Sequence, residues 1–347
     1  MILLFLTILQ ISFAQTTNDS TLVQTVDGIN SIVKQTEAPK KTCETPQVVV
    51  NPCDEKSNIK LFKKEEPIKM TFKAAFPVKG KKISGTISYV HDEKEIVLNA
   101  DFEPKKGIRS GMCGFPPFKV RLTSNTKGTV FNHSHDGLKY VTHCDKEYEN
   151  MNDEQMRENV IKEYTLYKIL NASGLPSLKV RLTETEYISE DGSKKTMPGF
   201  FIEDKEDMAQ RCGGHSIKKF DNESFSAYDT HKVLAAEHLV GNIDYSSNHN
   251  VVLIKTEADM IHVPYDLDLS HLVRFQGSQN LTETMLQQIS AYKDSPEWPS
   301  MLAQYKTIAA HKMDILETIK ASTLSDETKK NWLKSYEGLF TEIEKLN

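Results

Sequence analysis

The segment Gly241-Asn-Ile-Asp-Tyr-Ser-Ser-Asn-His-Asn250 runs into the apolar stretch Val251 to Ile254, and a polar turn from Lys255 to Met260 then leads to His262-Val-Pro-Tyr-Asp-Leu-Asp268. Two short apolar runs around a polar turn predict a β-hairpin. Its first strand begins just after Asn250 and its second ends just before Asp266. These two side chains are therefore expected to be neighbours at the open end, with Asp244 on the loop that leads in. An Asp, an Asn and an Asp gathered there form a hard, oxygen-rich, anionic site. That donor chemistry suits Mg²⁺ or Mn²⁺ carrying a phosphate.

Working outward, the residues divide into a strand-rich first part and a helix-rich second part. Strand-like pieces recur from about Lys69 to Leu122, among them Ile83 to Val90, Glu95 to Asp101 and Phe118 to Leu122; two more are expected at Thr129 to Phe131 and Leu138 to Thr142. Gly, Lys and Pro turns separate them, which predicts a mainly antiparallel sheet. The period then changes. Asn152-Asp-Glu-Gln155 has the form of a helix cap, Met156, Val160, Tyr164 and Tyr167 recur at helical spacing, and Gly174 with Pro176 marks the stop. Tyr164 and Tyr167 read as core. A second strand pair, Leu178 to Thr185 and Gly199 to Ile202, precedes the acidic run Glu203-Asp-Lys-Glu-Asp207, which reads as a solvated helix start. Asp229 to Val240 reads as a helix ending at Gly241, and from Thr282 to Leu346 the pattern is mostly helical, with Trp298 and Trp332 as core anchors.

Lys139 lies in mid-strand, on the same face as Val141. Glu163 comes three residues after Val160 and four before Tyr167, on or beside the apolar stripe, where a carboxylate needs a cationic partner or a shifted pKa. A strand lysine oriented by a helix glutamate is how phosphotransferases hold an ammonium against nucleotide phosphates. Taken singly, each residue reads better as a solvated surface charge. Together, and followed by the Asp/Asn/Asp hairpin, they point to phosphoryl chemistry.

Lys139, Glu163, Asp244, Asn250 and Asp266, in that order on a strand, a helix, a loop and a hairpin, resemble the kinase-like fold of the CotH and HipA types. Cys113-Gly-Phe-Pro-Pro-Phe118, Leu138-Lys-Tyr-Val-Thr-His-Cys144, Glu163-Tyr, Phe201-Ile-Glu-Asp204, Gly241-Asn-Ile-Asp244 and Pro264-Tyr-Asp-Leu-Asp268 also resemble a group of exported bacterial proteins of unassigned function, a remote branch of the CotH-like kinases. The resemblance covers about Ile83 to Val273. It implies an α+β, two-lobed protein-kinase-like fold with a β-rich N-lobe and a mainly helical C-lobe. It also implies that Lys139 contacts the α- and β-phosphates of ATP, that Glu163 holds Lys139, and that Glu203 in the linker receives the adenine and ribose. Asp244 matches the aspartate that orients or deprotonates an acceptor hydroxyl, and Asn250 and Asp266 match ligands of Mg or Mn, with Asp268 a second acidic ligand. Asn248 rivals Asn250, because Asp244 and Asn250 are six residues apart where the protein-kinase catalytic loop has five. The pattern departs further from protein kinases: no Gly-x-Gly-x-x-Gly is present, and Leu267-Asp268 replaces the Phe-Gly that follows a metal-binding aspartate.

Composition sets the bounds. At 347 residues the chain is long enough for one large or two modest domains, and a net charge of -5 without a basic cluster gives no reason to expect nucleic acid. Residues 1–14 are uncharged, mostly apolar and end in Ser12-Phe13-Ala14, which reads as a signal peptide cleaved after Ala14. A flexible segment is expected over 15–66, the β-rich lobe over 67–204 and the helical lobe over 205–347. No later stretch approaches the ~20 apolar residues of a membrane span. A secreted or periplasmic protein follows, in a compartment where cysteines pair. Cys43 with Cys53 and Cys113 with Cys144 are the expected disulfides, leaving Cys212 over. His133 and His135 lack companions at metal-site spacing. Ser246 and Ser247 lack a nucleophile elbow, and His249 reads as a loop-stabilising side chain. Two functions follow: an exported phosphotransferase acting on a protein or small-molecule hydroxyl, with an envelope protein among the acceptors, or a catalytically silent kinase-like module of the cell envelope that binds a ligand or partner in the same cleft.

Overall fold

The computed structural model of the protein describes residues 51, 53, 59–105, 113–132, 137–144, 151–217, 231–242, 250–274 and 281–346. Its first half winds seven strands into a barrel: β1 (Ile68–Lys73), β2 (Ile83–His91), β3 (Lys94–Pro104), β4 (Phe118–Leu122), β5 (Leu138–Val141), β6 (Val180–Ile188) and β7 (Lys194–Ile202). The order around the wall is β1-β2-β3-β4-β5-β7-β6. All neighbours are antiparallel save β1 and β6, whose parallel register from Ile68↔Thr183 to Lys73↔Ile188 closes the wall. The expected antiparallel sheet is thus a closed barrel with one parallel seam, which removes both sheet edges.

The sequence explains the closure locally. β2 and β3 meet through Asp92-Glu93, both with positive φ (48° and 63°), the backbone that a two-residue hairpin turn requires. Ile87, Tyr89, Leu98, Ala100 and Phe102 alternate inward, and Val90 and Val97 outward. Inside, the Phe72 ring packs at 5.5 Å from Phe102, 5.1 Å from Tyr140 and 5.9 Å from Tyr187. The Tyr140 hydroxyl is hydrogen-bonded to Thr183 at 2.7 Å and Thr185 at 2.8 Å, so the polar atom in this aromatic core is satisfied. Gly199 makes room for it, since a Cβ there would lie 2.2 Å from the Tyr140 oxygen. Thr129 to Phe131 is a turn rather than a strand: the Thr129 N–H and hydroxyl both donate to the Thr126 carbonyl, and Phe131 is buried without any ladder.

The helix α1 (Asp153–Ala172) starts with the reciprocal capping box of Asn152 and Gln155. It packs on β6 and β7 on one side and on helices of the second half on the other. That second half holds α2 (Lys205–Arg211), the short β8 (His215–Ser216), α3 (His231–Val240), the hairpin β9 (Val251–Lys255) and β10 (Met260–Pro264), and α4 (His271–Arg274). It ends in α5 (Leu281–Tyr292), α6 (Trp298–Ala310), α7 (Lys312–Ala321) and α8 (Asp326–Glu344). Met301, Tyr305, Ile315, Trp332, Tyr336 and Phe340 fill the core between these last helices, whereas Trp298 is only partly buried.

Two expectations need correction. Cys53 pairs with Cys212, 159 residues away, and Cys113 with Cys144. The second pairing is the expected one. In the first, proximity along the chain pointed Cys53 at Cys43, which lies outside the described residues. Ile59 and Leu61 are buried in the barrel core, so ordered structure starts ahead of residue 67. The stretch 1–14, with its cleavage site, also lies outside the described residues. Among them, no helix is long and apolar enough to cross a membrane. The two disulfides are compatible with an oxidising, extracellular setting.

Candidate functional site

The barrel, α1 and the hairpin meet at Lys139. On β5 this residue stands between Lys119 of β4 and Ile202 of β7, in a wall fixed by hydrogen bonds on both sides. Its side chain is 11% exposed, and its Nζ lies 3.1 Å from Asp266 Oδ1, a contact between residues 127 apart in sequence. The same nitrogen sits 4.2 Å from the centre of the Tyr265 ring, a cation–π geometry. Burial by itself would lower the Lys139 pKa; the Tyr265 phenol and the Asp266 and Glu163 carboxylates outweigh it and raise the pKa above the ordinary lysine value.

Helix α1 addresses both halves of this pair from successive turns. Glu163 is 2% exposed, and its charge is one of those that hold Lys139 protonated. Tyr167, one turn later, accepts a hydrogen bond from the Asp266 N–H at 3.0 Å. Burial first, then the charges of Glu163 and Asp266, push the Tyr167 pKa well up, so its hydroxyl stays neutral. Tyr167 belongs to the core, as its place in the stripe predicts, but its oxygen also fixes the backbone of the residue that meets the lysine.

The hairpin end is built as the apolar runs predict. Pro264 faces Val251 in the last register pair, and the Tyr265 N–H donates to the Asn250 carbonyl at 2.9 Å, adding one rung. Beyond it both chains turn sharply: Asn250 has φ 59° and Asp266 φ 61°. Left-handed backbone at non-glycine residues is uncommon, Asn and Asp tolerate it best, and each such residue costs of order 1–3 kcal/mol. Two of them at one ladder end are a strained arrangement that the surrounding bonds hold in place. Asp266 pairs with the ammonium and still retains 31% side-chain exposure.

The following residues tie this end to α3. Asp268 is buried in the 3-10 turn Leu267–Leu269, Ser270 Oγ donates to the Val240 carbonyl, and the His271 N–H donates to the Gly241 carbonyl at 2.9 Å. Gly241 ends α3 with φ 62°, the left-handed cap that glycine permits. Asn242 is then fastened back to Glu237, side chain to side chain at 2.8 Å and backbone to backbone at 2.9 Å. Burial drives the Glu237 pKa well up, and the bond from Asn242 opposes that shift. Asp244, Asn248, His249, Ser246 and Ser247 lie outside the described residues, as do His133 and His135.

Glu203 has a different place from the one expected. Its side chain is fully buried and forms a two-pronged pair with Arg211 of α2, Nε to Oε1 at 3.1 Å and Nη2 to Oε2 at 2.8 Å. It also accepts the Lys179 N–H at 3.0 Å, while its own N–H donates to the Lys179 carbonyl at 2.8 Å. With these bonds made and no exposed oxygen, Glu203 holds the joint between β7 and α2 and presents nothing to a ribose. Arg211 further donates to the carbonyls of Ser177 and Cys53.

Sequence reasoning passes over Tyr265 and Arg211 altogether and gives Tyr167 too small a part. The signals are present: Tyr265 adjoins Asp266, Tyr167 follows Glu163 at one helical turn, and Arg211 closes a seven-residue helix that Asp204 caps. Among the described residues no group of three His, Cys, Asp or Glu side chains stands ready for a metal. The described donors nevertheless fit a Mg²⁺ or Mn²⁺ ion of the kind completed by water and substrate phosphate, which needs only one or two carboxylates from the protein. Asp266 would supply one and Asn250 an amide oxygen.

No family model and no curated protein matches the chain. Among solved structures it is similar to a chain of the Shewanella oneidensis MR-1 toxin–antitoxin complex of HipA and HipB with operator DNA, at 12% identity and a TM-score of 0.34. The match covers 70% of this chain and 65% of that one, just short of two thirds of its length.

Proposed function

We propose that the protein is a two-lobed kinase-like phosphotransferase that moves a phosphoryl group from a nucleotide, ATP by preference, to a hydroxyl of a protein or small molecule. The observation that carries this reading is the convergence of Lys139 from the barrel wall and Asp266 from the hairpin end, with Asn250 joined to the same rung. In this reading Lys139 neutralises phosphate charge, Glu163 and Tyr265 orient it, and Tyr167 fixes Asp266. Asp266 and Asn250, with Asp268 as a second acidic ligand, would hold the metal, and Asp244 would receive the acceptor hydroxyl. A bound Mg²⁺ or Mn²⁺ supplies charge stabilisation to the phosphates, and everything else is positioning. The disulfides favour a secreted or periplasmic setting, where the nucleotide must come from a local supply.

A silent binding module is the second reading, favoured by one observation: Lys139 and Asp266 pair with each other at 3.1 Å, so the two charges balance within the chain itself. Thermal stabilisation by ATP with Mn²⁺, measured on wild type and Asp266→Ala, separates the two. The phosphotransferase reading expects metal-dependent stabilisation by nucleotide that disappears in the variant, and phosphate transfer that Asp244→Ala abolishes. Equal stabilisation of both proteins would count against it.

A further inference from the structure

We propose that Lys139 and a divalent cation compete for the carboxylate of Asp266, so that the lysine acts as a latch that keeps the cation weakly bound until a phosphate draws the ammonium away. The inference deepens the phosphotransferase reading and rests on it.

Three features of the site carry it. The ammonium lies 3.1 Å from Asp266 Oδ1 on a side chain that is 11% exposed, while the Asp266 side chain keeps 31% exposure, so solvent still reaches part of it. A hydrated dication reaching that carboxylate from solvent meets a like charge a few ångströms away, and the repulsion weakens its binding. The lysine also has somewhere to remain charged when it leaves Asp266: the Tyr265 ring is 4.2 Å from Nζ, and the buried Glu163 carboxylate acts on the same ammonium. Finally, Asp266 itself stays in place when its partner changes, because Tyr167 holds its N–H and the Asn250 rung holds the residue before it.

The ligand that unlatches the site is defined by its chemistry. It must carry anionic oxygens able to bind the ammonium and the metal at once, as the phosphates of a nucleoside triphosphate do. Binding free energies are reciprocal, so whatever the phosphate does for the metal, the metal does for the phosphate. Cation and nucleotide therefore bind together, and each binds poorly alone.

The test is Mn²⁺ binding to the full chain without nucleotide, read as free Mn²⁺ by electron paramagnetic resonance. Wild type, Lys139→Met, Lys139→Gln and Lys139→Arg are compared, with unfolding curves confirming that each is folded. The two neutral variants are expected to bind Mn²⁺ about tenfold more tightly than wild type, within the ordinary range of site coupling, and Lys139→Arg about as weakly. A non-hydrolysable ATP analogue should tighten Mn²⁺ binding in wild type and lose most of that effect in Lys139→Met. Asp266→Asn should weaken the metal in every background. Equal Mn²⁺ affinity in wild type and the neutral variants, with Asp266→Asn still weakening both, overturns the latch and leaves the phosphotransferase reading standing. Mn²⁺ binding indifferent to Asp266→Asn overturns both.

Discussion

Replacing Arg211 with methionine tests the joint between the barrel and the helices. The Arg211 and Glu203 side chains are 3% and 0% exposed, so the pair is desolvated. Arg211 supplies two hydrogen bonds to Glu203, one at 2.9 Å to the Ser177 carbonyl and one to the Cys53 carbonyl. Arg211→Met leaves a buried carboxylate with only the Lys179 N–H and removes a donor from each of two carbonyls. Breaking one side of a buried pair costs about 3–5 kcal/mol. For a chain of this size that corresponds to a fall in Tm of roughly 4–7 °C. Urea and thermal unfolding measure it directly. The double variant Arg211→Met with Glu203→Leu should recover most of the loss, because an apolar pair leaves no charge behind. A single-variant loss under about 1 kcal/mol, or no recovery in the double variant, would refute the assignment of Glu203 to a structural pair. The same assignment expects Glu203→Gln to keep the nucleotide-dependent stabilisation; if the variant folds and loses it, Glu203 touches the ligand after all.

Two further outcomes follow from individual bonds. Tyr167→Phe removes the acceptor of the Asp266 N–H and is expected to lower stability by about 1–2 kcal/mol and to shrink the stabilisation by ATP with Mn²⁺; a variant that loses stability alone would reduce Tyr167 to packing. His238 is held neutral by burial, its pKa pushed down from 6.5 to about 3, so below pH 6.5 the unfolded chain takes up a proton that the folded one refuses until about pH 3. Stability is therefore lost as pH falls through that window, by about 2 kcal/mol at pH 5 relative to pH 7. Its neighbour Glu237, raised well above 4.5, acts in the opposite direction: the unfolded chain ionises first as pH rises. The stability difference between wild type and His238→Gln isolates the histidine. That difference should shrink by about 2 kcal/mol from pH 7 to pH 5, and a flat one would show that His238 titrates normally.

What could be read from residues alone was local. The hairpin was legible because Val251 to Ile254 is an apolar run bounded by polar turns, and the ladder did bring Asn250 and Asp266 to one end. The capping box of α1 was legible because its two side chains are three residues apart. Barrel closure was not, since the seam joins 68–73 to 183–188 and no local pattern encodes a pairing over that distance. Cys53 with Cys212 fails for the same reason: spacing favours the nearest cysteine, whereas the fold brings together two that are 159 residues apart. Thr129 to Phe131 shows the opposite error. Its apolar residues are buried, but a turn buries them as well as a strand does. Glu203 was misplaced because a carboxylate beside a helix start looks solvated until the helix's own last residue, Arg211, turns back to meet it.

The arrangement of α1 explains how a site with parts 127 residues apart can be reproducible. Lys139 is fixed by the barrel ladder and Asp266 by the hairpin ladder, and neither ladder senses the other. Helix α1 acts on both, with Glu163 acting on the lysine and Tyr167 on the aspartate backbone from adjacent turns of one element. Glu163 and Tyr167 stand about one turn apart on a 20-residue helix with a closed capping box, so a shift of α1 carries both contacts with it. The distance between ammonium and carboxylate is therefore set by where α1 seats against β6 and β7 and against the helical half. Substitutions along its buried face, far from Lys139, should change that distance as surely as substitutions in the pair itself.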